Sequence, residues 1–254
     1  MSHTELQAEW NKQYETVEDT ALRDQNLFEL EVDALVQCII DAAPKSGMFC
    51  LVELGCGTGA LLSVIQERLL QAGVIDFEAI GVDFSNIAIE KAKGRQLTHV
   101  SFSCCSFQDF FNDNNNKYDV ILSQRSIMAL MEEENHLEVL TAIEASLTDN
   151  GVALLSECFA GSFDRFNVLR QSAGLDPIDK VWHSRHLSEK QVEGIFGQID
   201  YVDFCSSYML ATRLIYPLFE EPIHNSKIHT IARNLPNGGD SSYLKIAVAS
   251  KIGK

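Results

Sequence analysis

The stretch from Phe49 to Gly59 constrains the fold of this chain more than any other. It reads Phe-Cys-Leu-Val-Glu-Leu-Gly-Cys-Gly-Thr-Gly, an apolar run that ends in an acid and then breaks into spaced glycines. A helical pattern of apolar residues begins at once with Ala60. This order of buried strand, tight turn and helix is typical of the unit that brings backbone N–H groups close to a nucleotide. Glycine suits the turn because it accepts a positive φ and leaves room for a ligand.

A second acid follows one strand later. The segment Ala79–Ser85 is another apolar strand pattern that ends in Asp83, and Ser85 can cap the helix that follows. In a parallel sheet Asp83 would lie beside the glycine loop, where its carboxylate can accept both hydroxyls of a ribose. Glu53 restricts the class of ligand further, since a carboxylate at this position repels a phosphate and attracts an ammonium group.

Two kinds of nucleotide site are compatible with this spacing. Gly55, Gly57 and Ala60 also match the G-x-G-x-x-G/A pattern of dinucleotide-binding domains, and Asp83 lies about as far downstream as that pattern expects. A pyrophosphate at the helix N-terminus should not face Glu53, however, so the acid favours a ligand with an ammonium end.

Together these stretches resemble motif I and the acidic loop of the class I S-adenosylmethionine-dependent methyltransferases. Gly59 stands where the loop of that family has a third glycine, Tyr118–Ser123 is similar to its fourth strand, and Leu147–Glu157 is similar to its fifth. The resemblance implies an α/β fold with a Rossmann-like, seven-stranded, mostly parallel sheet flanked by helices. The last strand would be antiparallel, and N-terminal helices and C-terminal insertions would form a lid.

The resemblance also implies where S-adenosylmethionine binds, with S-adenosylhomocysteine as the product. The glycine loop would lie under the methionine part, Asp83 would hold the ribose, and Phe84 would pack on the adenine. Ser106 stands where the family commonly has an acid for the adenine amino group. The residues expected to bind the cofactor are Tyr14, Glu53, Gly55, Cys56, Gly57, Gly59, Asp83, Phe84, Ser106, Phe107 and Ser123.

Residues that would act on the methyl acceptor are less constrained. His183 and His186 are the catalytic candidates, because imidazole titrates near neutral pH, although both could also serve only as surface or helix-capping residues. Arg125 could bind an acidic group of the substrate or pair with a surface acid. The further substrate-binding candidates are Trp182, Glu157 and Tyr208. No metal site is expected, because His-x-x-His has no carboxylate at ligand spacing.

Charge and composition narrow the partners. The formal charge is −16, from 36 acidic and 20 basic residues, and no basic stripe offsets it, so a nucleic-acid partner is not expected. No apolar run is long enough to span a membrane, and the N-terminus lacks a signal-peptide pattern. The seven cysteines without metal-ligand spacing then indicate reduced thiols and a cytoplasmic location.

The resemblance, together with the order of the predicted elements, implies one methyltransferase domain over residues 1–254. Residues 1–45 form a helical extension, 46–157 the cofactor-binding core and 158–254 the substrate side. Helices are predicted over 3–16, 26–42, from 60 to about 70, and over 85–94, 132–147, 188–197 and 226–234, with Asn26 as the N-cap of the second. Strands are predicted from 49 and over 78–83, 99–104, 118–123, 151–157, 200–212 and 243–249.

Two segments break the alternation of strands and helices. Residues 159–187 are predicted to be mostly irregular, and 215–240 is an insertion that could close over the cleft. Such enclosure favours a small-molecule acceptor, and oxygen is preferred slightly over nitrogen or carbon because two histidines offer a base. The alternatives are a protein or peptide methyltransferase and a non-catalytic S-adenosylmethionine-binding subunit.

Overall fold

A seven-stranded sheet runs through the centre of the protein. A computed structural model describes residues 3–16, 23–44, 47–112, 116–181, 183–221 and 223–251. The strands are β1 (Phe49–Leu54), β2 (Phe77–Asp83), β3 (Val100–Cys104), β4 (Tyr118–Gln124), β5 (Leu147–Cys158), β6 (Gln198–Val202) and β7 (Leu244–Ser250). Their order is β3-β2-β1-β4-β5-β7-β6. Neighbours pair in parallel except for β7, which is antiparallel to β5 and β6. The predicted fold class is confirmed.

Helices connect and flank these strands. They are α1 (His3–Thr16), α2 (Gln25–Ala42), α3 (Ala60–Gln71), α4 (Asn86–Gly94), α5 (Phe107–Asn112), α6 (Glu133–Ser146), α7 (Ala160–Ser172), α8 (Glu189–Ile195), α9 (Ser206–Met209) and α10 (Lys227–Arg233). None of the helices in the described ranges is both long and apolar enough to cross a bilayer.

The two faces of the sheet bury separate hydrophobic layers. In β1, Phe49 and Leu51 pack into the layer that contains α2 and α3, whereas Val52 and Leu54 pack into the layer that contains α6 and α8. This alternation follows from the two-residue period of a strand. Because both faces are covered, the central strands are apolar throughout, and their carboxyl ends are the part left for a ligand.

Three local predictions need correction. The segment 159–187 contains a helix that was not predicted, because α7 occupies its first half and buries Phe163 and Phe166. The segment 200–212 is not one strand, since β6 ends at Val202 and α9 begins at Ser206. Asp203 causes this break: its Oδ1 accepts the backbone N–H of Ser206 at 2.9 Å.

The third correction concerns the start of α2. Asp24, not Asn26, caps this helix by accepting the backbone N–H of Leu27 at 3.2 Å. After α9 the chain continues through a π-helical turn over Leu210–Ile215. This turn places Arg213 against Asp24, so the C-terminal segment is fastened to the start of α2.

Candidate functional site

A cleft of about 950 Å³, counting the part open to solvent, lies at the carboxyl ends of β1, β2 and β4. The predicted residues that line it are Tyr14, Glu53, Gly55, Cys56, Gly57, Asp83, Phe84, Ser106, Phe107 and Arg125. The sequence analysis did not predict the lining residues Leu6, Ala60, Leu61, Gln108, Gln124, Ser126, Ala129 and Leu130.

The glycine loop requires glycine for two reasons. Gly55, Gly57 and Gly59 all have positive φ, at 72°, 51° and 72°. A Cβ on Gly55 would also lie 2.3 Å from the Cβ of Ser126, so the β1 turn packs directly on the turn after β4. Gly59 packs against the ring of Phe102 behind the cleft and starts α3. The loop therefore links the end of β1, the start of α3 and the turn after β4.

Two buried carboxylates face the cleft. Glu53 is 2% exposed and Asp83 is 4% exposed. Asp83 Oδ2 accepts the N–H of Gly57 at 2.9 Å, and its Oδ1 accepts the N–H of Ser85 at 2.8 Å. These bonds fix the Asp83 carboxylate beside the glycine loop, as the sequence predicts. Burying two carboxylates together is costly unless donors or cations meet them, so this part of the cleft favours a ligand that supplies such groups.

The N-terminal helix α1 covers one side of the cleft. Its residues Leu6, Trp10 and Tyr14 line the cavity. Gln7 Nε2 donates to the Phe84 carbonyl at 2.5 Å, and the Ser85 hydroxyl donates to the side chain of Asn11 at 2.6 Å. The helix is thus held on the β2–α4 turn, and its aromatic side chains close one wall.

The turn after β3 provides the opposite wall. Phe107 is buried there, and Ser106 is partly exposed. The Ser106 hydroxyl donates to Asp109 Oδ2 at 2.7 Å and accepts the Asp109 N–H at 3.1 Å. The two residues therefore cap the short helix α5, and Ser106 lies at the cleft with its hydroxyl engaged by its own helix.

The turn after β4 is held from behind by Glu157, which is fully buried. Its Oε1 accepts the N–H groups of Ser126 at 3.1 Å and Ile127 at 3.0 Å, and its Oε2 accepts that of Met128 at 3.3 Å. The Ser123 hydroxyl also donates to Glu157. Burial raises the pKa of Glu157 to about 7, against the effect of these hydrogen bonds.

Neither Ser123 nor Glu157 is among the lining residues of the cleft. Both contact the turn after β4, which lines the cleft. In this turn the hydroxyl of Ser126 also donates to the Leu54 carbonyl at 2.6 Å. The predicted cofactor contact of Ser123 and the predicted substrate contact of Glu157 are replaced by contacts with this turn. The sequence places Ser123 and Glu157 at the ends of their strands. It does not show that the N–H donors to Glu157 come from a turn about 30 residues earlier in the chain.

Arg125 lies in the same turn and has a left-handed backbone, with φ 52°. Arg125 is among the lining residues of the cleft, and its guanidinium donates to Glu31 Oε2 at 3.0 Å. Gln124 Nε2 donates to the same oxygen at 2.8 Å, and the Ser156 hydroxyl donates to Glu31 Oε1 at 2.5 Å. The sequence analysis missed Glu31, although an acid among the apolar residues of one α2 face was a usable signal.

Comparison with known proteins identifies the family. A family model described as a methyltransferase domain matches residues 45–201, well over half of the chain. The chain belongs to this family. The predicted class I methyltransferase, with S-adenosylmethionine as cofactor, is confirmed. A search of curated proteins finds no match.

Several solved structures are similar to this methyltransferase, and the first of those named here shares its fold. The plantazolicin methyltransferase BamL, in complex with a triazolic desmethylPZN analog and SAH, is 12% identical, with a TM-score of 0.53 over 99% of this chain and 91% of that one. A TehB-like SAM-dependent methyltransferase from Corynebacterium glutamicum is 14% identical, with a TM-score of 0.48 over 85% and 86%. The sugar N-methyltransferase KedS8 from Streptoalloteichus sp. is 23% identical, with a TM-score of 0.40. That match covers 50% of this chain and about half of KedS8, 47%.

The predicted catalytic histidines of the methyltransferase lie outside the cleft lining. His183 packs edge-on against Trp10, with ring centroids 5.3 Å apart. His186 packs against Phe163 at 4.3 Å, and burial is the main cause that lowers its pKa to about 4. Burial likewise lowers the pKa of His183, with Arg23 adding to the effect. His183 therefore contacts a residue of the cleft wall, whereas neither His186 nor its neighbour Phe163 is among the lining residues.

Of the remaining substrate candidates, Tyr208 is the one that the structure describes. Trp182 lies outside the described residues. Tyr208 is 1% exposed, and its hydroxyl donates to Asp24 Oδ1 at 2.6 Å. Tyr208 is thus a buried core residue that links the C-terminal segment to the start of α2.

A second polar cluster surrounds Asp24. His224 and His229 place ligand atoms within 4.8 Å of one another and of the Asp24 carboxylate. Arg213 enters the same cluster: it donates to Asp24 Oδ2 at 2.5 Å, and its second guanidinium nitrogen lies 3.2 Å from His229 Nε2. A guanidinium at this position already balances the carboxylate and would repel a metal ion. The absence of a metal from the reaction stays a prediction.

Proposed function

We propose that this methyltransferase acts on a small-molecule acceptor, which binds between α1 and the turn after β4. The observation that carries the proposal is the cover of α1 over the cleft, where Leu6, Trp10 and Tyr14 face the strand ends. A cavity bounded on both sides suits an acceptor that enters as a whole molecule. The charge of −16 further disfavours a phosphate-rich polymer.

The cofactor would occupy the half of the cleft near β1 and β2. Glu53 would bind the ammonium end of S-adenosylmethionine, and Asp83 would accept the ribose hydroxyls. Phe84 and Phe107 would pack on the adenine, with Ser106 beside it. The backbone of Gly55 and Gly57 leaves room for the methionine part, since neither residue carries a Cβ.

The acceptor would occupy the half formed by Trp10, Gln124, Arg125, Ala129 and Leu130. When bound, S-adenosylmethionine would supply an activated methyl group for transfer to the acceptor. The protein's own contribution is alignment and exclusion of water. Apolar walls and two polar side chains at the end of β4 fit that task, because alignment alone can supply much of the rate.

The acceptor atom is oxygen, nitrogen or carbon. The preference for oxygen relied on His183 and His186 as bases, and neither lines the cleft. Of the two, His183 is the stronger candidate for a base, because its neighbour Trp10 forms the cleft wall. A hydroxyl or ammonium acceptor would need such a group, whereas a carboxylate would not.

One labelling experiment tests the proposal. Purified protein is incubated with methyl-labelled S-adenosylmethionine and either the small-molecule or the protein fraction of a cell extract. We expect label in small molecules, which mass spectrometry then identifies. Label confined to protein would replace this proposal by a protein or peptide methyltransferase. Calorimetric binding of S-adenosylhomocysteine without any transfer would indicate a non-catalytic subunit instead.

A further inference from the structure

The acceptor half of the cleft contains an ion pair that the cofactor site does not use. Glu31, on α2, is completely buried. It accepts hydrogen bonds from Gln124, Arg125 and Ser156, so both oxygens of its carboxylate are engaged. A carboxylate in an otherwise apolar helix face is costly, and removing either partner of such a pair would leave an uncompensated charge. A buried carboxylate such as that of Glu31 is expected where the orientation of the side chains that donate to it matters.

The partners of Glu31 are the polar part of the acceptor wall. Gln124 and Arg125 both line the cleft and both donate to the same oxygen, at 2.8 Å and 3.0 Å. The backbone of Arg125 is left-handed, and its side chain reaches Glu31 on α2. Glu31 therefore fixes the direction of an amide and a guanidinium at once, without being exposed to the acceptor itself.

The charges of the cleft add up to an excess of negative charge. Among the described lining residues, Arg125 is the cation, and Glu53 and Asp83 are carboxylates. Glu31, directly behind Arg125, balances the guanidinium. The single net positive charge of bound S-adenosylmethionine leaves the balance negative. Like charges at close range in a partly dry site repel strongly, so an anionic acceptor would be disfavoured.

We infer that Glu31 is a positioning residue for the acceptor, and that its pair with Arg125 restricts the enzyme to neutral or cationic acceptors. The inference rests on the proposed small-molecule function and names the substrate class of that same site. It revises the expectation that Arg125 binds an acidic substrate group, because the guanidinium charge is directed to Glu31.

The wild-type enzyme gives the first test. The small-molecule fraction of an extract is separated by ion exchange into anionic, neutral and cationic pools, and each is incubated with labelled S-adenosylmethionine. We expect label in the neutral or cationic pool. Label mainly in the anionic pool would overturn this inference alone, whereas no label in any pool would overturn the proposed function.

Variants give the second test. Glu31→Gln keeps the side-chain shape but leaves the Arg125 charge uncompensated, so labelling of the anionic pool relative to the other pools should rise at least about fivefold. Affinity for S-adenosylhomocysteine, measured by calorimetry, should stay within about threefold, because Glu31 does not line the cofactor half. The double variant Glu31→Gln/Arg125→Gln should return the preference to the wild-type pattern.

The matched control is Glu29→Gln, which removes an exposed carboxylate of the same helix that pairs with Arg233. It should leave the pool preference unchanged. An unchanged preference in folded Glu31→Gln, or an equal shift in the control, would show that the pair has only a structural role. If Glu31→Gln does not fold, the wild-type pools still decide the acceptor charge.

Discussion

Replacing Glu157 by Gln should change how the stability of the protein depends on pH. Burial raises the pKa of this carboxyl from 4.5 to about 7, so the folded protein favours the protonated form. The resulting stabilisation is complete below pH 4.5 and is lost as the pH rises through about 7. A pKa difference of this size corresponds to about 3 kcal/mol of unfolding free energy. Glu157→Gln has no such titration.

The measurement is urea-induced unfolding of both proteins at several values between about pH 4.5 and 8. The unfolding free energy of the wild type minus that of the variant should fall by about 3 kcal/mol across this interval. Titrations shared by both proteins, including that of Asp24, cancel in the difference. A control variant at an exposed position of α6, Glu138→Gln, should show no comparable change. A difference that is flat, or that rises with pH, would refute the assignment of a raised pKa to Glu157.

Two further predictions concern the cofactor half of the cleft. Gly55→Ala and Gly73→Ala both place a Cβ on a left-handed residue, but only at Gly55 does it meet Ser126, while Gly73 has nothing within 4 Å. In each variant the strained backbone should lower the free energy of unfolding by about 1 kcal/mol. Gly55→Ala should also weaken S-adenosylhomocysteine binding at least about tenfold in calorimetry. Equal affinities of the two variants would contradict the packing argument. Deleting residues 1–22 removes α1 but keeps the Asp24 cap, and it should weaken the same affinity about tenfold or more, since Trp10 and Tyr14 line the cleft; unchanged binding would exclude α1 as a cover.

Short-range patterns were sufficient to predict the part of the cleft lining that lies at the ends of β1 and β2. The glycine loop, the strand-end positions of Glu53 and Asp83, and the start of α3 all depend on residues adjacent in sequence. Their hydrogen bonds also stay within neighbouring strands, as with Asp83 and Gly57. In such a unit the apolar period and the turn residues indicate the same structure.

The acceptor half could not be predicted in this way. Glu31 lies 94 residues from Arg125, so only the folded chain shows that the two meet. The segment 200–212 was predicted as a strand because its apolar residues permit one, whereas Asp203 ends β6 through contacts that include the distant backbone of Ser242. Tyr208 has an aromatic ring suited to a substrate wall, but its partner Asp24 lies 184 residues away.

The long-range hydrogen bonds that hold α2 in place have a consequence for the order in which the protein folds. Asp24 receives Tyr208 and Arg213 from 184 and 189 residues farther along the chain, and Glu31 receives Ser156 from 125 residues away. These closures must wait until most of the chain has emerged during synthesis. Helix α2 is therefore made well before the segments that supply its polar partners. Glu31 can orient Gln124 and Arg125 once residues up to Ser156 have been made, whereas Asp24 must wait for Tyr208 and Arg213.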